Sequence, residues 1–532
     1  MPEQKSKSFV LNTIILTLAG GFARVLGAVY RIFLTRIIGD EGIGLYQMAY
    51  NLALLFMTVG MTGLPLAISK MVAEKTALRD EKSVHKILKL SLLVSAILGI
   101  ALAAVLGAGA DFWANQNLKE PRALGPLMAI APAVLFVFLM APLRGYFQGR
   151  QEMLPRAISD AGEQLVRVAM ILSLAFMFMG NGIAAAATGA ALGVSIGSMA
   201  AFFYLLLLYL KRRSGQGEES PVIGIIGGPK EEGSLSLLKR LTVLAVPVTL
   251  GSLIWPMMQF VDTLFITARL QAAGFSASEA TALFGRYSGQ AGPLINMPSI
   301  LTVAVVASLI PAITEAMTQG LTKTMQQRAN LALKLSMFIA LPAAAGLNLL
   351  SQPVATILYG SNAAADIIGV YSWVILFLLM YQTSTGILQG IDSIRIPVLS
   401  MVVGIAVKGF FTFWLVGIAE INIFGAALAT LAGFSLAVTI NLFYVYRHTR
   451  MPADLRGLVI APVISSALMG VAVYFAYKLL QAKFTSPLLP TAVAVLLGII
   501  IYAIVLLLSG GLSKEELKSI PKIGPVLAKR MK

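Results

Sequence analysis

The chain has no cysteine, only two histidines, and charged side chains at just 12% of its 532 residues. Without thiols it can form neither a disulfide nor a thiolate metal site. His85 and His448, both in polar stretches between apolar runs, are too few for imidazole ligation or acid/base chemistry. Acidic groups are also scarce, with 24 Asp and Glu against 41 Lys and Arg, a formal charge of +17. There is no DxD pair, no acidic loop of the kind that holds Mg²⁺ and no GxxxxGK[ST] phosphate loop, which argues against an enzyme acting on phosphates and against a nucleotide-driven pump. What is abundant is apolar surface: 58% of residues are hydrophobic and the mean hydropathy is +0.83. Soluble domains carry about 25% charge, so this is a polytopic membrane protein.

Its fold class is all-α, because open strands cannot satisfy their backbone in lipid. Runs of roughly 20 apolar residues predict fourteen spans, near 8–34, 45–69, 88–110, 123–143, 157–180, 184–210, 241–266, 287–314, 330–350, 367–389, 396–418, 422–446, 457–477 and 487–509. Lys5 and Lys7 precede a first run much longer than a signal-peptide core, which predicts an uncleaved span. With a cytoplasmic N-terminus, 30 of the Lys and Arg fall on cytoplasmic segments and their span ends, 7 on outer segments and 4 within spans. That bias predicts both termini in the cytoplasm. It also accounts for the positive charge without nucleic acid, which would need a basic face on a soluble surface.

The polar connection 211–240 divides the first twelve spans into six and six and reads as a linker. The expected organisation is an N-terminal lobe at 1–213, a linker at 214–237, a C-terminal lobe at 238–447, two additional helices at 448–512 and a basic tail at 513–532 suited to anionic headgroups. An internal repeat supports the two lobes. Gly145, Gln148, Gly149 and Arg167 match Gly386, Gln389, Gly390 and Lys408 at an offset of 241, and Leu66–Ser69 resembles Pro311–Thr314 at nearly the same offset. Two pseudo-symmetric six-helix lobes are the plan of alternating-access transporters.

Charges inside the spans mark candidate sites, since an arginine at a span centre costs about 2.5–3.5 kcal/mol on insertion scales. Arg24 and Arg31 are seven residues apart in the first span, about two turns, and share one face. With Arg36 and Arg286 they can line an outward-accessible cationic chamber, whose guanidinium forks suit phosphate and imply an anionic substrate. Snorkelling to headgroups, or loop solvation for Arg36 and Arg286, is the plainer alternative. In the fifth span, Asp160, Glu163 and Arg167 lie on one face, as an intrahelical ion pair or as a polar cavity wall. Asp262 in the seventh span and Lys408 in the eleventh lack an opposite charge along their own helices, which predicts a gating or coupling pair across helices. No metal ligand set is expected.

Four stretches carry a family resemblance: ARVLGAVYRIFLTRIIG in the first span, GLPLAISKMVAE ending the second, RGYFQG followed by PRAISDAGEQLVRV, and INMPSILTVAVVASLIPAITEA in the eighth. Together they resemble the MurJ/SpoVB (YtgP-like) branch of the MOP, or MATE-like, flippase superfamily, in its Gram-positive form. The resemblance covers essentially the whole chain. It implies a flippase, not an enzyme, that moves lipid II, the undecaprenyl-pyrophosphate-linked peptidoglycan precursor, to the outer leaflet, and it gives Arg24 contact with the pyrophosphate. Tyr30 stands where proteobacterial members have a second arginine, with Arg31 one residue on, and Arg286 lies upstream of their eighth-helix arginine. Two alternatives remain at this point: a flippase for another undecaprenyl-linked polysaccharide, and a MATE-like cation-coupled drug exporter, which should prefer acids in its cavity. The expected partners are the lipid-linked anionic substrate and membrane lipids, with no nucleic acid, a monomeric state, and cell-wall synthesis proteins as possible associates. No cofactor is expected, and membrane potential or a cation gradient is left as the energy source.

Overall fold

The computed structural model describes residues 2–215, 233–452 and 454–511; the side chains of 2–20, 22–25, 28 and 213–215 lie outside that description. Among the described residues there is no strand. The helices are α1 (Pro2–Met61), α2 (Gly63–Ala77), α3 (Glu81–Gly107), α4 (Leu124–Gly149), α5 (Met153–Phe178), α6 (Ile183–Gly215), α7 (Ser234–Ser252), α8 (Ile254–Ala272), α9 (Ala277–Phe284) and α10 (Gly292–Asn296). They continue with α11 (Ser299–Thr318), α12 (Thr322–Leu349), α13 (Ser351–Tyr359), α14 (Ala365–Tyr371), α15 (Val374–Gly390), α16 (Arg395–Leu415), α17 (Phe424–Thr449), α18 (Ala461–Gln481) and α19 (Leu488–Leu508).

The all-α polytopic class is therefore as the apolar runs predict. Thirteen stretches among the described residues are long and apolar enough to cross a membrane. The first of them, Val29–Ala77, takes in both the end of the first expected span and all of the second. The break between those two falls at Gly39, whose φ of 70° and ψ of −176° leave the helical region. Only glycine adopts such a backbone without strain. The expected seventh span is two helices, α7 and α8, and the eighth opens with a π-helical turn at Gly285–Ala291 before α10 and α11. The ends are set by local chemistry. Asp80 accepts a bond from the Ser83 N–H at 3.0 Å and caps α3, and Ser276 with Glu279 forms a capping box on α9.

The helices gather into two compact units, residues 1–271 with 275–285, and residues 272–274 with 286–532. In the first, α5 runs along α6, α4 packs on α2, α3 and α6, and α1 lies against α4 and α5. Helices α7 and α8 belong to this unit: Arg240 pairs with Glu74, Thr62 bonds Ser252 at 2.6 Å, and Thr267 donates to the Leu118 carbonyl at 3.1 Å. In the second unit, α16 pairs with α17, and α15 packs on α11, α12 and α17. The last two spans are joined to α12 and α13 through a core of Leu350, Met469, Val473, Tyr502 and Leu506. Buried Lys334 also binds Asp454 at 2.6 Å, ahead of α18.

The repeat is visible inside each unit. A Cβ placed on Gly149 would stand 2.7 Å from the Ser69 carbonyl oxygen and 2.7 Å from Val72 Cβ, and one on Gly390 would stand 3.3 Å from the Ile310 carbonyl oxygen and 2.9 Å from Ile313 Cβ. Both contacts recur at an offset of 241, so each unit crosses two helices at a glycine in one register. The sequence match of Leu66–Ser69 to Pro311–Thr314 is offset by 245, one helical turn too far; a four-residue slip keeps the same face, so the letters still agree.

Candidate functional site

The first unit contains a polar cluster built from four helices. On α5, Glu163 is 6% exposed, a depth at which a carboxylate needs compensation. It has two cations. Arg167, one turn on, pairs with it along the helix, and Arg144 from α4 reaches its Oε2 at 2.8 Å. The same Arg144 nitrogen, Nη2, is ion-paired with Asp160 Oδ1 at 2.7 Å. Ser198 on α6 donates to Glu163 at 3.2 Å and accepts from Arg167 at 3.2 Å. Arg156 completes the row at 3.8 Å from Asp160. The intrahelical pair expected for Glu163 and Arg167 is therefore present, but it is one edge of a network that crosses three helices.

Beside this network, α1 presents Arg31, half-buried among tyrosines. Its guanidinium carbon lies 5.8 Å from the centre of the Tyr30 ring and 5.5 Å from that of Tyr50, and its Nε donates to the Tyr30 hydroxyl at 3.4 Å. Tyr30 and Tyr46 share a hydrogen bond at 3.1 Å, and Tyr46 stacks on Tyr50. Helix α1 packs along α5, which places the two groups in one interior. The backbones agree, since a Cβ on Gly27 would stand 3.3 Å from Gln164 Nε2 of α5. Among the described residues, no carboxylate lies within salt-bridge distance of Arg31; aromatic faces hold it instead.

The other expected site residues fall on several elements of the two units. Arg24 lies in α1 with its side chain outside the described residues. Arg36 is exposed on α1, and Arg286 is half-buried at the start of the second unit. Asp262 is buried on α8 in the first unit and Lys408 is buried on α16 in the second. Sequence reasoning did not single out Arg144 or the three tyrosines as functional. By position Arg144 is one more cation just past the end of the fourth expected span, whereas it is 8% exposed inside the unit. Tyr46 and Tyr50 carry no charge pattern to mark them, although their spacing of four residues puts both on one face.

The second unit has an interior polar cluster of another kind. Asn441 accepts from Ser400 at 2.7 Å and donates to Ser384 and Thr385 at 3.2 Å each, while the Tyr381 hydroxyl donates to the Pro397 carbonyl at 3.0 Å. These groups are neutral and satisfy one another.

A membrane bundle of this kind, with a buried cationic cluster, has relatives that define its class. The family model described as "Polysaccharide biosynthesis protein" matches residues 9–317, more than half of the chain, and the chain belongs to that family. Its relatives include proteins of the MurJ/SpoVB type, and it shares its fold with solved transporters of the MOP superfamily. It is 32% identical to the uncharacterized membrane protein YabM of Bacillus subtilis (strain 168), over 98% of this chain and 96% of the relative. It is 29% identical to stage V sporulation protein B of the same organism, covering 98% and 99%, and 28% identical to that organism's lipid II flippase MurJ, covering 88% of each. Among solved structures, lipid II flippase MurJ in an inward closed conformation superposes with a TM-score of 0.64 at 17% identity, covering 92% of this chain and 98% of the other. An inward-facing MATE-family transporter of the MOP superfamily gives 0.66 at 13%, covering 80% and 94%. These two likenesses establish the fold.

Proposed function

We propose that the chain flips an undecaprenyl-pyrophosphate-linked glycan, specifically the peptidoglycan precursor lipid II, to the outer leaflet by alternating access of its two six-helix lobes. The observation that carries this reading is Arg31: a guanidinium inside the apolar part of the fold, held by tyrosine rings and with no described carboxylate to neutralise it. A pyrophosphate supplies the missing negative charge and accepts the planar fork bidentately, while the polyprenyl tail stays in lipid. Arg24, Arg36 and Arg286 are further cationic groups for the same substrate, with Glu163 and Arg167 as the polar wall beside Arg31. The similarity to MurJ favours lipid II.

Both termini are assigned to the cytoplasm of a Gram-positive-type cell, and a membrane potential or cation gradient is assigned as the driving force. Asp262 and Lys408 are the gating and coupling residues; additive losses in Asp262→Asn, Lys408→Ala and the double variant would remove that role. The deciding experiment is complementation of a strain depleted of its lipid II flippase. Growth is expected, and failure despite full membrane expression would move the assignment to a flippase for another undecaprenyl-linked polysaccharide. That second reading has its own support in the matched polysaccharide biosynthesis family.

A further inference from the structure

Gln164 follows Glu163 on α5, and the two side chains part. Glu163 is held by Arg144 of α4 and Ser198 of α6. Gln164, about 100° further round the helix, turns to α1 instead: its Nε2 lies 3.3 Å from the point that a Cβ on Gly27 would occupy. The bare glycine makes the room, because a methyl there would press on the amide. Gly27 comes three residues after Arg24 and four before Arg31, and in a helix these positions share one face. The amide therefore stands about one helical turn, about 5.4 Å along α1, from the position of Arg31. It is half-buried, and among the described residues no hydrogen bond takes it up. A side-chain amide has two N–H donors to give, and leaving them unused in an interior costs free energy.

We propose that Gln164 is a specificity-determining residue for the anionic head of the substrate: its amide donates to a phosphate oxygen about one turn from Arg31, and so selects a diphosphate over a monophosphate. This rests on the reading of Arg31 given above. A diphosphate seated on the Arg31 guanidinium has a second group to offer the amide, and a monophosphate has none. The donor is neutral, so it adds reach without adding charge. Packing alone does not account for an amide here, because at the common offset of 241 the second unit has Ile405 on α16, also half-buried.

The test uses the full chain in lipid nanodiscs and reads affinities for a polyprenyl pyrophosphate, the matching monophosphate and the matching polyprenol. Gln164→Leu should weaken pyrophosphate binding about tenfold, the lower end for a hydrogen bond to a charged group, and leave the monophosphate within about threefold. Gln164→Glu keeps the shape, removes the donors and sets a like charge against the phosphates, so it should weaken the pyrophosphate further. Gly27→Val fills the space of the amide and should match Gln164→Leu; combined with it, the further loss should stay below about threefold. Unchanged pyrophosphate binding in Gln164→Leu overturns the proposal, as do equal losses for both phosphates, or losses in Gly27→Val and Gln164→Leu that multiply. Should Gln164→Leu not fold, a parent-like ratio of pyrophosphate to monophosphate affinity in Gln164→Glu overturns it equally. A parent protein that binds the polyprenol as tightly as the phosphates, or an Arg31→Gln variant that keeps the preference for phosphate over polyprenol, would instead remove the reading of Arg31 itself. Preference for phosphate lost in Arg31→Gln, with the ratio of the two phosphates unchanged in Gln164→Leu, removes only the role of Gln164.

Discussion

The two units share a helix crossing but fill their interiors differently. Gly149 and Gly390 meet the facing helix in the same register, yet Arg144, Asp160, Glu163 and Arg167 of the first unit correspond to Thr385, Met401, Gly404 and Lys408 of the second. Where the first unit uses guanidinium and carboxylate groups, the second uses an amide and hydroxyls around Asn441. Backbone packing of the repeat does not require charge at the first three of these positions, whereas at the fourth both units carry a cation, Arg167 and buried Lys408. The network of paired guanidinium and carboxylate groups lies in the unit that also holds the tyrosine-caged Arg31, which is where an anionic substrate would need it.

That contrast can be broken most severely at Glu163. Glu163→Gln leaves two buried arginines short of a counter-charge and should destabilise the protein by about 3–5 kcal/mol, read as a drop in thermal unfolding temperature in detergent. Equal stability to the parent would mean that the network is more solvated than its burial implies. Gly149→Val and Gly390→Val come next. Each forces a side chain against a facing Cβ and should cost about 1–3 kcal/mol, with the two losses similar; a large loss at one glycine alone would end the case for a shared crossing. Asn441→Ala should cost about 1 kcal/mol while leaving lipid pyrophosphate binding intact, in contrast to Arg31→Gln, which should abolish binding at little cost in stability.

The smallest effect is a pH dependence common to both units. Burial raises the Glu120 carboxyl, but bonds from Arg122 and Thr281 outweigh it and hold the group below the ordinary carboxylate range. Lys334 does the same for Asp454 against a smaller opposing effect of burial. A lowered folded-state value means that the stabilisation is complete above the unfolded carboxylate range, about 4, and is lost as pH falls through the lower folded value. Unfolding temperature should therefore fall at acid pH, and Glu120→Gln should flatten part of that slope.

Much of this was legible in the sequence. Apolar runs located the helices, the 241-residue offset revealed a real contact in each unit, and the spacing of Glu163 and Arg167 predicted their pair. What escaped had physical reasons. A break at one glycine does not interrupt hydropathy, so the geometry at Gly39 is invisible to a window of twenty residues. Arg144 sits near a span end, where loop and interior cations look alike in a charge count, and only its partners on another helix separate the two. The tyrosines bind a cation with ring faces, a role that neither hydropathy nor charge records.

The break at Gly39 has a mechanical meaning. The stretch that begins with the first expected span and the stretch that holds Tyr46 and Tyr50 are joined by a residue already outside the helical region. Re-aiming one segment against the other turns two backbone dihedrals of the one residue type with no side chain to obstruct them. The arginine-bearing segment thus meets the next at a single residue, and its tyrosine partners are divided between the two arms: Tyr30 lies on the arm of Arg31, and Tyr46 and Tyr50 lie on the other.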